Sequence, residues 1–302
     1  MPSSSRPAVT EPRTDGAPAA GPATAAESSE PRHVKRGGTI WSRRPTAVRR
    51  AILLVGLLVL WQAYITLRDV SPLVFAAPLD VAEALVDGIR DGRLIDASVV
   101  TLRVLGIGML IGMAVAAILT TLATWTRIGQ DILVLLTSML NPLPAIAILP
   151  LAILWFGLNQ TALVFVIANA VTWPIAINVS MGFRTVPATI MMVGRNLGLR
   201  GVRMVRDVLA PAALPHTITG LKTGWAFGWR TIIAAELVFG VAGSGGGLGF
   251  FINDARFFLR IPEVFAGLVT IALIGIALES VFNLIERRTV IKWGMKSVEA
   301  QD

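Results

Sequence analysis

The sequence predicts an all-helical integral membrane protein with six transmembrane helices, and three observations carry that expectation. Of the 302 residues, 54% are hydrophobic and mean hydropathy is +0.68, whereas a soluble domain has about 45–50% apolar residues. Charged residues make up only 15% and cluster at the ends of long apolar runs. Basic residues gather in segments that would share one side of a bilayer, the bias that sets orientation. The net charge of +8 therefore does not point to nucleic acid, whose binding needs a solvated basic face with aromatic stacking partners. The absence of cysteine excludes thiol catalysis, thiolate metal sites and disulfides. His33 and His216 are too isolated for a histidine metal site or a catalytic triad.

Residues 1–40 are rich in Pro, Ala, Ser, Gly and Glu without apolar periodicity, so they read as a disordered tail that cannot offset its ordering entropy. They lack the apolar core of a signal peptide. Arg43, Arg44, Arg49 and Arg50 precede a first span, Ala51 to Leu67, with Trp41, Trp61 and Tyr64 as interfacial anchors. An uncleaved span behind arginines places the N-terminus in the cytoplasm. Asp80 and Glu83 have the spacing of a capping box. They would open a short outer helix whose apolar side is Val81, Leu85 and Ile89. Residues 41–97 thus precede a core of five spans over 98–286.

The second span runs from about Val99 to Trp125, with Gly106, Gly108 and Gly112 allowing close helix contact and Arg103 near its outer end. Arg127 and Asp131 mark a brief cytoplasmic turn. The third, Ile132 to Phe156, is interrupted by Asn141-Pro142-Leu143-Pro144 and again by Pro150. Each proline removes a backbone donor, so the freed carbonyls must face protein or a wet cavity. The fourth, Ala162 to Phe183, carries Asn169, Thr172, Pro174 and Asn178. Packing alone explains a single bent span; two neighbouring spans, both broken and both carrying Asn, favour a pathway.

Residues 184–212 break the apolar pattern with Arg184, Arg195, Arg200, Arg203, Arg206 and one acid, Asp207. Ile190, Val193, Leu197, Val202, Val205 and Leu209 recur at helical spacing among them. These are short amphipathic helices, hinged near Gly198 and Gly201 and stopped by Pro211 and Pro215. Such a segment belongs on the cytoplasmic face, and its apolar side needs a cover: lipid headgroups, the chain's own helices or a soluble partner.

The fifth span, Ala213 to Gly240, holds Lys222, Arg230 and Glu236 with Trp225 and Trp229. The glycine run Gly240 to Gly249 lacks the Gly-Lys-Ser/Thr of a phosphate loop and reads as an outer turn permitting close packing of spans five and six. An outer segment with Asp254, Arg256 and Arg260 leads to the sixth span, Val264 to Ile285, which contains Glu279 and Asn283. A basic end, 287–302, closes the chain. In this topology nineteen of the 27 basic residues are cytoplasmic. Charges inside spans need partners. By depth, Lys222 pairs with Glu279, and Arg103 with Glu236. Arg230 has no acid at its depth. It either snorkels or bonds to broken-helix carbonyls, or it lends positive potential to the path of an anion.

Motifs add a resemblance. Anchored on Gly198, the central segment resembles the cytoplasmic "EAA" loop of permease subunits in ATP-binding-cassette importers, with Met192-Val193-Gly194 at the first triplet and Val208, Ala210 and Pro211 at the end. Met192 stands where the family carries an acid. LNPLPAIAILPLAILWFGL (140–158), GLKTGWAFGWRTIIAAEL (220–237), GGGLGFFINDAR (245–256) and IERRTVIKWG (285–294) are similar to permeases of sulfonate, taurine and nitrate importers. The Trp-x-Phe-x-Trp-Arg run at 225–230 resembles the aliphatic sulfonate branch.

The resemblance implies a type I importer permease fold and a homodimer in the bacterial inner membrane with the pathway at its interface. Both termini would be cytoplasmic. Two cytoplasmic ATP-binding subunits would bind the nucleotide, and a periplasmic or lipid-anchored substrate-binding protein would deliver the solute. The chain itself would be no enzyme and would hold no cofactor, metal or nucleic acid. Met192, Gly194, Arg195, Asn196, Leu197, Gly198, Leu199 and Pro211 would couple to the ATPase. Asn141, Pro144, Asn169, Asn178, Trp225, Trp229, Arg230 and Glu236 would serve the translocation pathway. The rival readings are a stand-alone secondary carrier or channel, and a membrane scaffold. No internal repeat supports an inverted-repeat carrier.

Overall fold

The structure, a computed structural model, describes residues 46–239 and 246–291. The chain divides after Leu53 into two units. The first contributes, among the described residues, only the opening turns of helix α1 (Thr46–Arg68); the expected tail, residues 1–40, and the last residues of the basic end lie outside the described residues. In the second unit every described element is helical or a turn.

From Leu54 to Leu60 helix α1 is apolar and exposed on all sides, as lipid contact requires. Trp61 anchors it, with ring centroids 5.7 Å from Phe75 and 5.6 Å from Phe265. Helix α2 (Pro78–Arg90) follows. Its N-cap is Ala77 with no side-chain bond, so the expected capping box does not form. Pro78, whose fixed φ suits the first helical position, starts the helix three residues early and leaves Asp80 in the first turn. Val81 is buried there, whereas Ile89 is exposed.

Helix α3 (Arg93–Trp125) has 33 residues, about 50 Å at 1.5 Å per residue, well beyond the roughly 30 Å bilayer core. Thr126 alone separates it from α4 (Arg127–Leu140), capping that helix by accepting from the Gly129 amide at 2.9 Å. A 3-10 turn (Ala145–Ile148) and α5 (Leu149–Phe156) complete the third apolar run. The chain bends by 92° at the expected Asn-Pro-Leu-Pro break. Pro150 does not interrupt; it sits in the first turn of α5.

Helix α6 (Gln160–Arg184) is the centre of the unit. It is the most buried of the long helices because glycines on both neighbours let them approach closely. On α3, a Cβ at Gly112 would lie 2.9 Å from the Ala168 carbonyl oxygen, and one at Gly108 would lie 2.6 Å from Ile167. Gly106 faces open space and has no part in this contact. On the other side, Gly220, Gly224 and Gly228 lie against Asn178, Ile175 and Val171.

After α6 come α7 (Ala188–Asn196), the short α8 (Val202–Met204), a π turn (Val205–Leu209) and α9 (Ala210–Ala212). Pro211 and Pro215 stop nothing: each occupies the opening turn of a following helix, Pro211 in α9 and Pro215 in α10 (Leu214–Phe239). The last helices are α11 (Leu248–Phe257) and α12 (Ile261–Glu286). Most of the glycine run lies outside the described residues; the outer segment expected after it is α11, which begins within the run at Leu248 and packs against both α10 and α12.

Among the described residues, four helices are long and apolar enough to cross a membrane: α1, α3, α6 and α12. The bent pair α4 and α5 is together long and apolar enough for a fifth, crossing as one broken span or entering as a re-entrant loop. Helix α10, expected as the remaining span, has 26 residues, but Lys222, Arg230 and Glu236 keep it below that apolar standard.

Candidate functional site

Helix α10 presents three different faces, and they sort the expected site residues. The glycine face lies on α6. A second face carries Trp225 and Trp229, both buried, their rings stacked at 5.3 Å; Trp225 also meets Phe282 of α12 at 6.2 Å. The third carries Phe227, Arg230, Thr231 and Ala234 at i, i+3, i+4 and i+7. It lines an open cleft of about 300 Å3 against the α4–α5 break and α6.

That cleft brings together Asn141, Pro144, Asn169 and Arg230. The break supplies one wall, residues 140–146, and its prolines offer no N–H. The guanidinium of Arg230 is solvent-accessible and makes no hydrogen bond or ion pair among the described residues. Asn169 accepts a 3.1 Å bond from the Trp173 indole on its Oδ1, whereas its Nδ2 is buried without a partner. Leaving a buried amide donor unpaired costs about 1–3 kcal/mol. The cleft therefore holds one positive charge, Arg230, among mostly apolar walls that also carry Asn141, Asn169 and Thr231. Phe227, Thr231, Ala234 and Trp173 were not singled out from sequence; the helical spacing about Arg230 is the signal that would have found the first three.

The other expected pathway residues lie elsewhere. Asn178 donates at 2.8 Å to the Pro174 carbonyl within α6. Glu236 sits in a buried junction of α3, α10 and α11. Thr101 Oγ1 donates to its carboxylate at 3.0 Å, and the Gly249 amide donates to it at 2.9 Å. The Leu248 amide in turn donates to Thr101 Oγ1 at 2.8 Å. The carboxylate and hydroxyl thus cap the N-terminus of α11 from two other helices, a favourable place for negative charge. A Cβ at Gly247 or Gly249 would run into Glu236, which is the use the described end of the glycine run is put to. Arg103 is exposed and does not pair with Glu236, correcting that expectation. Lys222 also departs from its expected partner: its Nζ donates at 2.6 Å to Asn283 Oδ1, and Glu279 is exposed one turn away.

The arginine-rich segment forms a second feature. Helix α7 ends in a Schellman motif: the Leu199 amide donates to the Gly194 carbonyl and the Gly198 amide to Arg195, both at 3.0 Å. Gly198 carries φ +77° and Gly201 φ +57°. The first is the left-handed position of the motif, where a Cβ costs roughly 1–2 kcal/mol. Gly194 lies over the buried Met204, with a Cβ there 3.0 Å from Sδ. Inward-facing Leu209 is buried, but Ile190, Met192, Val193, Leu197 and Val202 are exposed, Leu197 to 74%. The described helices therefore do not cover this apolar side. Arg195 and Leu199 edge a small cleft beside Trp125. No group of three or more His, Cys, Asp or Glu that could hold a metal ion occurs among the described residues.

Comparison with known proteins places this geometry. Residues 97–291 match the family described as binding-protein-dependent transport system inner membrane component. A taurine transport system permease protein of Escherichia coli, TauC, is 30% identical over 237 residues, 77% of this chain and 85% of that protein. SsuC of Bacillus subtilis, a permease protein named for transport of aliphatic sulfonates, is 30% identical over 237 residues, 78% of this chain and 84% of that protein. The nitrate import permease protein NrtB of Synechocystis sp. is 29% identical over 252 residues, 82% of this chain and 90% of that protein. Among solved structures, an amino acid ABC transporter crystallised with histidines superposes with a TM-score of 0.52 at 19% identity, covering 68% of this chain and 97% of that one, a likeness of fold. The chain belongs to this family: it is the multi-pass membrane permease subunit of an ABC importer, and not its ATPase.

Proposed function

We propose that this permease carries a small anion of the sulfonate, taurine or nitrate class, and that the anion passes along the cleft beside the α4–α5 break. The observation that carries this reading is the unpaired guanidinium of Arg230 on an open cleft that the polar Asn141, Asn169 and Thr231 also line. Positive charge with spare donors and water-accessible walls suits a desolvating anion. The names of the relatives agree with it: taurine, aliphatic sulfonates and nitrate are all anionic or carry an anionic head group. Asn141, Pro144, Asn169 and Arg230 form the wall, while Asn178, Trp225, Trp229 and Glu236 hold the helices that carry it.

The assembly is a homodimer of this chain with two cytoplasmic ATP-binding subunits, which bind the ATP, and a substrate-binding protein outside. The tail (1–40), the core (98–286) and the basic end (287–302) follow the positive-inside bias, which places both termini in the cytoplasm. The loop 184–212 grips the ATPase. Met192, in the family's acidic position, meets it as part of the exposed apolar side with Val193 and Leu197, while Gly194, Gly198 and Pro211 set the shape of the loop and Arg195, Asn196 and Leu199 its rim.

Uptake of labelled taurine, an alkanesulfonate and nitrate into proteoliposomes holding the complete importer tests this reading. Uptake of one of them should require internal ATP and fall at least tenfold in Arg230→Glu. Uptake without ATP, or normal anion uptake by Arg230→Glu, would overturn it.

A further inference from the structure

We infer that the small cleft between the end of α3 and the arginine-rich loop holds the phosphate of an anionic phospholipid of the cytoplasmic leaflet, with Arg195 and Arg200 as its cationic arms. This rests on the loop lying at the cytoplasmic face, and it gives that loop a second partner besides the ATPase.

Thr124 and Trp125 of α3 form one wall of the cleft, Met191 and Arg195 of α7 with Arg200 the other, and no carboxylate lines it. Both arginines are exposed, and neither guanidinium makes a hydrogen bond or ion pair among the described residues. The cleft is about 290 Å3, room for about ten waters at about 30 Å3 each, so a phosphate seated in it lies between the two walls. Guanidiniums take phosphate oxygens in pairs, with charge-assisted hydrogen bonds.

The surface that continues from the cleft into the span makes the occupant a lipid rather than a soluble phosphate. Ile111, Val115, Ile118, Leu122 and Trp125 follow one another at steps of four and three along α3, which sets them on one helix face, and all are exposed. This stripe runs down the membrane-crossing helix and ends at the cleft, with Trp125 belonging to both. An acyl chain lies along the stripe, the indole stands at head-group depth, and the arginines meet the phosphate. Met191 and Arg195, one turn apart, give α7 its cleft side, whereas Met192 and Val193 are exposed and do not line the cleft. The lipid and the ATPase therefore occupy different sides of the same helix.

Native mass spectrometry of the complete importer, purified and supplied with phosphatidylglycerol or phosphatidylcholine, tests the inference. Wild type should retain phosphatidylglycerol at least tenfold more strongly, as two arginines at about fivefold each imply. Arg200→Gln should cut that retention about fivefold, and Arg195→Gln likewise. Arg203→Gln removes an equally exposed charge of the same loop that does not line the cleft, and should change retention less than twofold. Equal losses in Arg200→Gln and Arg203→Gln would mean diffuse attraction to a basic loop and overturn the site. So would equal retention of phosphatidylcholine, or displacement of the lipid by millimolar inorganic phosphate, which marks a soluble-anion site. Should Arg195→Gln lose its ATPase partner, Arg200→Gln against Arg203→Gln decides alone. The chain has no cysteine, so Arg203→Cys reports the side on which the loop lies. Its labelling in spheroplasts by a membrane-impermeant maleimide would overturn the cytoplasmic placement and this inference with it. A loop shielded from that reagent, in a complex that retains no phosphatidylglycerol, overturns the lipid site alone.

Discussion

Replacing Thr101 by valine keeps the shape of the side chain and removes the one hydroxyl at the junction of α3, α10 and α11. That hydroxyl is fully buried, donates to the Glu236 carboxylate and accepts from the Leu248 amide. A hydrogen bond to a charged group contributes about 1.5–3 kcal/mol, and orphaning a buried amide costs about 1–3 kcal/mol. The two share an atom and do not add fully, so Thr101→Val should destabilise the subunit by about 2–4 kcal/mol. Glu236→Gln retains an accepting oxygen for the Gly249 amide and should cost less. In the double variant the two losses should couple by about 1 kcal/mol or more, as contacting members of one network do. Equilibrium unfolding in mixed micelles with a rising fraction of denaturing detergent, followed by tryptophan fluorescence, measures all four species. An unfolding free energy for Thr101→Val within about 0.5 kcal/mol of wild type, or strictly additive losses, would refute the account of this junction.

The glycines and the intraspan lysine give two sharper contrasts. Gly112→Ala would place its Cβ 2.9 Å from a backbone oxygen of α6 and should destabilise by about 1–3 kcal/mol. Gly106→Ala, with nothing within 4 Å, should be neutral or stabilising by up to about 1 kcal/mol through helix propensity; the same unfolding assay reads both. Asn283→Leu should lower stability by about 1–2 kcal/mol by leaving the Lys222 ammonium unpaired. Glu279→Gln should change it by less than about 0.5 kcal/mol, and the reverse order of those two effects would restore the pairing expected from depth alone.

Much of the fold was legible in the chain because its signals are local. A run of apolar residues long enough to span is a property of consecutive positions, and α6 and α12 begin and end within three residues of the expected limits, while α1 and α3 end as expected but begin five and six residues earlier. The Asn-Pro-Leu-Pro break was legible for the same reason, since a missing N–H disrupts its own turn. So was Gly198, whose left-handed position needs only its neighbours on either side. Helix α10 was legible too, within a residue of its expected limits, although the residues that give the cleft its chemistry dilute the hydropathy that marks a span.

Partners across helices were not legible, and the reason is rotation. Arg103 and Thr101 lie at nearly one depth on α3, but two residues turn an α-helix by about 200°, so one faces outward and the other meets Glu236. Glu279 and Asn283 share a face one turn apart, about 6 Å along the axis, and only the packing of α12 on α10 selects Asn283 for Lys222. The sequence by itself determined which segments are helical, where they break and which kinds of side chain each carries. The tertiary structure alone decided that Arg230 and Asn169 open into one cleft while Trp225, Trp229 and Glu236 turn away from it. Depth follows from counting along a chain, but azimuth depends on how glycine faces let neighbouring helices approach.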